Sequence, residues 1–209
     1  MAQRSDEWFA RRCGKFTGSR FEDVMAVSKS NGKPLKARND LIWSIVAERI
    51  QGYQPQGPKS YSLDWGIANE TFAREAYELR TGNMVHDIDF IDHPVLDYAG
   101  ASPDGLVYED GMVEIKCPKS PEVHLQRWID GVPEEYKAQI QGQLWVTGRK
   151  WCDFISYDAD TAPEFQLLII RVLPDAEYIE KLETEVVKAN IEVNIIINQL
   201  YERVINVTD

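Results

Sequence analysis

Residues Met112 to Pro118 alternate in character along the chain, and that alternation dictates which way a strand there must face. Successive side chains of an extended segment point to opposite sides, so Val113, Ile115 and Cys117 form an apolar back while Glu114 and Lys116 share a charged front. Asp104 stands ten residues before Glu114, in the turn sequence Ser102-Pro103-Asp104-Gly105, and Glu109-Asp110-Gly111 supplies a hairpin turn between the two segments. The hairpin folds Asp104 back towards Glu114. Asp in such a turn, or Glu beside Lys on a solvated strand face, is ordinary when met alone. Two carboxylates beside a lysine on adjacent strands suit a divalent cation and an attacking water.

The Asp104, Glu114-Ile115-Lys116 arrangement resembles the PD-(D/E)xK nuclease superfamily. The longer segments Ala101 to Leu106 and Glu114 to Pro118 resemble phage lambda exonuclease and its viral recombinase (alkaline exonuclease) relatives. Trp8 with Arg12, followed by Thr17-Gly18-Ser19, resembles that family's 5′-phosphate pocket. Trp65-Gly66 followed by Glu70 resembles its helical acidic residue, and Ala138-Gln139-Ile140-Gln141 through Trp145 its post-catalytic helix. These matches keep family order from Trp8 to Tyr157; the last quarter of the chain adds a compatible helix and no motif.

The resemblance implies a 5′-to-3′ exonuclease that digests one strand of linear double-stranded DNA to mononucleotides and leaves a 3′ overhang for single-strand annealing recombination. It implies two Mg²⁺ ions, with Mn²⁺ as a substitute, held by Glu70, Asp104, Glu114 and the carbonyl of Ile115. Lys116 orients or deprotonates the water, its protonation state left open by the sequence because burial and nearby carboxylates shift it in opposite directions. Gln139 faces the scissile phosphate, while Arg12, Thr17, Ser19 and Ser102 hold the 5′-phosphate. Leu63 is either a wedge that separates the terminal base pair or an ordinary core leucine. A ring-shaped homotrimer, a single-strand annealing protein as partner and a phage or prophage origin are further implications. Two competing readings are another PD-(D/E)xK nuclease, such as an endonuclease, and a non-catalytic DNA-end binding protein.

Composition sets outer limits. With 209 residues and 44% apolar side chains, the chain suffices for one sizeable core, so a single nuclease domain over 1–209 is expected, with a helical N-terminal part and a long C-terminal helix. No apolar run approaches a membrane span and no leader is evident, so a soluble cytoplasmic protein is expected. Cys13, Cys117 and Cys152 are far apart and argue against a disulfide framework or a zinc or iron–sulfur site. The net charge of −11 is unlike a DNA-binding surface, but residues 1–38 hold nine bases against four acids. A local basic mouth on an acidic body would steer DNA to one face, whereas the charge taken by itself favours a plain acidic protein with a charged N-terminal helix.

Hydrophobic spacing predicts an α/β fold, a central mixed sheet flanked by helices. Helices are expected over Asp6–Arg12, Phe21–Val27, a segment carrying Leu41, Ile42, Ile45, Val46 and Ile50, Gly66–Arg80, a stripe with Tyr136, Ile140 and Leu144, and Pro174–Val204. The helix at 66–80 is expected to bury Ile67, Phe72, Ala76 and Leu79. Strands are expected at Met84–Ile91, Phe154–Tyr157 and Leu167–Val172 besides the hairpin. The last helix carries a heptad seam from Ile179 to Leu200 that serves either a coiled coil or, more simply, packing on its own subunit. Thr17 and Ser19 precede a helix start, which is an anion site or a plain cap; Arg12 favours the anion. His86, His93 and His124 lack mutual ligand spacing.

Overall fold

The structure is a computed structural model that describes residues 5–28, 30, 32–55 and 61–208, with the side chains of 61–63, 207 and 208 outside the description. The elements in chain order are α1 (Asp6–Arg12), β1 (Phe16–Thr17), α2 (Phe21–Val24), α3 (Lys36–Gln51), α4 (Tyr61–Thr81), β2 (Val85–His86), β3 (Ile91–Asp92), β4 (Ala99–Ala101), β5 (Gly105–Val107), β6 (Gly111–Lys116), α5 (Pro121–Asp130), α6 (Lys137–Thr147), β7 (Trp151–Tyr157), β8 (Leu167–Val172) and α7 (Ala176–Thr208). A five-stranded sheet runs β2-β5-β6-β7-β8 and a three-stranded sheet runs β1-β4-β3.

The hairpin forms as the alternation demands. β5 pairs antiparallel with β6, setting Gly105 opposite Val113, and Tyr108 takes the left-handed conformation in the turn, at φ 47°. β6 then pairs parallel with β7. A parallel pair needs a crossover, and α5 and α6 supply it.

Each face of β6 has its own cover. Val113 and Ile115 pack with Ala73 and Tyr77 of α4, Val107 and Ile155. Met112 packs on the other face with Ile140 and Leu144 of α6, Cys152 and Phe154. The front that carries Glu114 and Lys116 is therefore covered by α6 rather than solvated. On another side α6 packs closely on α2, where residue 142 is glycine: a Cβ there would lie 2.1 Å from the ring of Phe21. A third cluster joins Phe16, Phe21, Leu41, Ile42, Ile45 and Val46 to Leu182, Val186, Ala189 and Val193. The α7 seam thus packs within its own subunit.

Several expectations need correction. Helix α4 starts at Tyr61 and buries Ala73 and Tyr77, whereas Ile67, Phe72 and Leu79 are exposed. Its inner face is set by a polar tether, Tyr77 Oη donating to buried Asp153 at 2.7 Å, and not by its largest apolar side chains. The strand expected over 84–91 is two short strands in different sheets, because the chain crosses between sheets there. Helix α2 ends at Val24, Ile50 is exposed, and β7 begins three residues earlier than expected, at Trp151. Helix α5 was not anticipated, although Ser120, whose hydroxyl accepts from the Val123 N–H, and Pro121 in the first turn are a helix start signal. The three cysteines are free. Among the described residues no helix is long and apolar enough to cross a membrane.

Candidate active site

Asp104 is pinned at the mouth of the hairpin. Its backbone N–H donates to the Val113 carbonyl at 3.2 Å, its Oδ2 accepts from the Ile115 N–H at 2.6 Å, and its carbonyl accepts from Arg74 Nη2 at 3.0 Å. Arg74 is itself held by Asp87. Glu114 is only 1% exposed. Its Oε1 accepts from Lys116 Nζ and from Gln139 Nε2, each at 2.5 Å. Its Oε2 accepts from Gln143 Nε2 at 2.8 Å. Gln139 and Gln143 are one helical turn apart on α6, so both amides reach the same carboxylate.

A cleft of about 430 Å³ opens beside these groups, lined among others by Glu70, Asp104, Ile115 and Lys116. Glu70 comes from α4, Asp104 from the start of β5 and Lys116 from the end of β6, so three separate elements converge there. The Tyr136 ring closes one wall, its centroid 5.1 Å from Lys116 Nζ. Burial and then the neighbouring carboxylates Glu114 and Glu70 raise Asp104 well above the ordinary carboxylate range, with Lys116 and the Ile115 N–H opposing. Burial opposes the charge on Lys116, yet Glu114 and Asp104 together raise its pKa above the ordinary lysine value. The amine is therefore an ammonium at neutral pH. Burial, with Glu70 and Asp104, pushes the Cys117 thiol in the same cleft up to about 12, which leaves it protonated and a poor nucleophile.

This donor set fits a hard divalent cation. Mutually repelling carboxylates with a backbone carbonyl beside them are the oxygen ligands such ions take, and the raised pKa of Asp104 reflects first burial and then repulsion, both of which a bound cation would offset. Among the described residues, no three His, Cys, Asp or Glu side chains converge as a finished metal cage. Glu114 is turned onto the donors of Lys116, Gln139 and Gln143, which carry its charge in that arrangement.

A second polar cluster lies behind Ser102. Arg12 is buried, at 7% exposure; its Nη2 donates to Thr17 Oγ1 at 2.9 Å and its Nη1 to Ser102 Oγ at 3.4 Å. The guanidinium lies 4.1 Å from the Trp8 ring centroid, and Trp8 Nε1 donates to the same Ser102 hydroxyl at 3.0 Å. Burial and neighbouring Arg20 lower Arg12 to about 10 against the pull of Glu48, so it is charged at neutral pH with only hydroxyl partners. Arg20 and Glu48 form an ion pair beneath it, and Glu48 Oε2 also accepts from the Gly14 N–H at 2.9 Å.

Arg12, Thr17 and Ser102 therefore come together. Ser19 does not join them: it is exposed and lines a neighbouring opening with Gly18, Tyr136 and Gln139. Leu63 lies on α4, but its side chain is outside the described residues. Gln143 ties the two clusters, its Nε2 also lying 3.4 Å from the Ser102 carbonyl. No local signal singles out Gln143, one helical turn from Gln139, or Arg74, Tyr136 and Glu48, as parts of the site. His124 is fully buried, with Nδ1 2.8 Å from Ser156 Oγ and Nε2 2.6 Å from the Phe165 carbonyl.

A profile of the YqaJ-like viral recombinase domain matches residues 7–150. An alkaline exonuclease from Laribacter hongkongensis is 35% identical, with a TM-score of 0.88 over 97% of this chain and 100% of that one. Its complex with dAMP matches equally, at TM-score 0.88 and 36% identity. A phage-related exonuclease from Haemophilus somnus shares the fold at TM-score 0.69 and 15% identity, covering 89% of this chain and 96% of that one. An uncharacterised protein of Acanthamoeba polyphaga mimivirus is 30% identical over 97 residues, 40% of this chain and 18% of the viral protein's length. The hairpin, the helices that cover it and the match over most of the chain agree: the protein has the fold of an alkaline exonuclease and belongs to the YqaJ-like viral recombinase family.

Proposed function

We propose that the protein is a metal-dependent exonuclease that digests the 5′-ended strand of linear double-stranded DNA to mononucleotides and leaves a 3′ overhang. One observation carries this reading: a buried arginine with only hydroxyl partners sits next to a carboxylate cluster, and a single glutamine side chain, Gln143, links Glu114 of that cluster to the backbone of Ser102, whose hydroxyl meets the arginine. A guanidinium held that way suits a terminal phosphate, and a phosphate fixed there sets the next phosphodiester beside Asp104. The relative crystallised with dAMP was bound to a deoxynucleoside monophosphate, the kind of product such digestion releases.

Glu70, Asp104, Glu114 and the Ile115 carbonyl would hold the metal, Mg²⁺ by preference and Mn²⁺ as a substitute. Divalent ions bound there supply Lewis-acid stabilisation of the phosphate and ease deprotonation of the attacking water. Lys116, charged at neutral pH in the metal-free protein, orients that water and offsets the negative charge that builds on the phosphate. Gln139 holds Glu114 in place and faces the scissile phosphate. Thr17 and Ser102 fix the fork of Arg12, while Ser19, in the neighbouring opening, is left out of that pocket. A ring-shaped homotrimer and a single-strand annealing partner belong to the same reading, as does a phage origin with action in the bacterial cytoplasm.

Lys116→Ala tests the chemistry. It should abolish cleavage while duplex binding persists, and turnover retained without the amine would refute its role.

A further inference from the structure

Among the described residues, three arginines are buried: Arg12, Arg38 and Arg127. Arg38 faces two carboxylates, Glu185 at 3.8 Å and Glu192 at 3.6 Å. Arg12 and Arg127 have no carboxylate within ion-pair distance, Glu48 pulling on Arg12 only from its own pair with Arg20, and their surroundings repeat each other. Arg127 Nη1 donates to Ser156 Oγ at 3.0 Å and Nη2 to Tyr136 Oη at 3.3 Å, as Arg12 donates to Thr17 and Ser102. Arg127 lies 5.5 Å from the Tyr136 ring centroid and 5.7 Å from that of Phe154, as Arg12 lies on Trp8. In both, the buried Nε has no acceptor. A buried cation with no carboxylate in contact is costly, the more noticeable in a chain of net charge −11, where carboxylates are plentiful.

The two arginines flank the carboxylates. Arg12 reaches Ser102, which leads into β5 on one side of β6. Arg127 is anchored on Ser156 of β7, which lies on the other side of β6 and pairs in register with Lys116. Arg127 also lines the cleft that holds Glu70, Asp104 and Lys116. A strand whose terminal phosphate rests at Arg12 and whose scissile bond lies at Asp104 must continue towards β7.

We propose that Arg127 is a second phosphate-binding arginine, taking a backbone phosphate of the cut strand on the 3′ side of the scissile bond. The inference rests on the exonuclease reading for its polarity. It assigns the two sides of the cleft, with Arg12 setting the end of the strand and Arg127 holding the part that remains.

The test is a binding cycle with the full chain at fixed salt, in Ca²⁺ to limit cleavage. Wild type, Arg127→Gln and Arg127→Lys are titrated with 5′-phosphorylated duplexes carrying an uncharged methylphosphonate at each of the first three linkages 3′ of the scissile bond. At one linkage, neutralisation should weaken wild type roughly tenfold, the scale of a charge-assisted hydrogen bond. Arg127→Gln should bind the unmodified duplex about that much more weakly and ignore the modification there, yet still distinguish 5′-phosphate from 5′-hydroxyl ends. Arg127→Lys, which keeps the charge but loses the fork, should fall between. A folded Arg127→Gln that loses the full factor again, or a wild type indifferent at all three linkages, overturns the proposal. If Arg127→Gln does not fold, Arg127→Lys decides, with undiminished sensitivity as the contrary result. Failure of the exonuclease reading shows separately, as absent Mg²⁺-dependent turnover of the unmodified duplex with the coupling intact.

Discussion

The Gln143 side-chain amide donates to Glu114 at 2.8 Å, and both side chains are sealed from water, at 0% and 1% exposure. This contact fastens α6 to the charged side of β6. Gln143→Ala leaves one oxygen of a buried carboxylate without its donor, a change that costs about 2–4 kcal/mol. Urea unfolding of the metal-free protein should show that loss, together with slower cleavage. A loss below about 0.5 kcal/mol, the range of an ordinary surface change, would contradict the sealed contact.

Asp104 makes a prediction about pH and metal together. Its folded pKa is raised, so its contribution to stability is fully present below the unfolded value near 3.8 and is lost as pH rises through the folded one. Asp104→Asn keeps an acceptor for the Ile115 N–H and removes the repulsion from Glu114 and Glu70. The metal-free variant should therefore melt higher than wild type at pH 7–8, by about 2–4 °C per kcal/mol gained. Mg²⁺ should raise the melting temperature of wild type and leave the variant unchanged. Equal Mg²⁺ stabilisation of both would remove Asp104 from the metal site.

Arg12→Gln should erase the preference for 5′-phosphorylated ends. One charge-assisted hydrogen bond is worth roughly ten- to a hundredfold, so the ratio of rates on phosphate and hydroxyl ends should fall by about that factor. The rate on hydroxyl ends should change much less. A preserved ratio would place the terminal phosphate elsewhere.

Glu48 is 2% exposed at its side chain and joins Arg20 to the Gly14 N–H. Arg20→Met strands that carboxylate, at a cost of about 3–5 kcal/mol. It also loosens the turn between Arg12 and Thr17. Thermal unfolding should show the loss, and Glu48→Gln combined with Arg20→Met should recover part of it. No recovery would mean that the cost is packing and not the orphaned charge.

The parts of the site that were legible in the sequence are those made by local geometry. Glu114 and Lys116 share a face because a strand alternates, and Asp104 meets them because a short hairpin leaves it nowhere else to go. Gln139 and Gln143 share a helix face for an equally local reason. The α4 stripe misled because Phe72 and Leu79 are large yet exposed, while Ala73 and Tyr77 fit the close approach to β6 and β7. Glu70 carries no local signal; only the family resemblance singled it out. Nothing local marks Arg127, and only the fold brings Ser156 of β7 and Tyr136, just before α6, to it. Its unpaired state is a tertiary fact.

Digestion of linear duplex DNA with 5′-phosphate, 5′-hydroxyl and covalently closed ends, with and without Mg²⁺, tests the central claim most directly. The account predicts Mg²⁺-dependent release of mononucleotides from the 5′-ended strand, fastest with the phosphate, and intact closed circles. Cutting of closed circles, or a rate indifferent to the terminal phosphate, would contradict it.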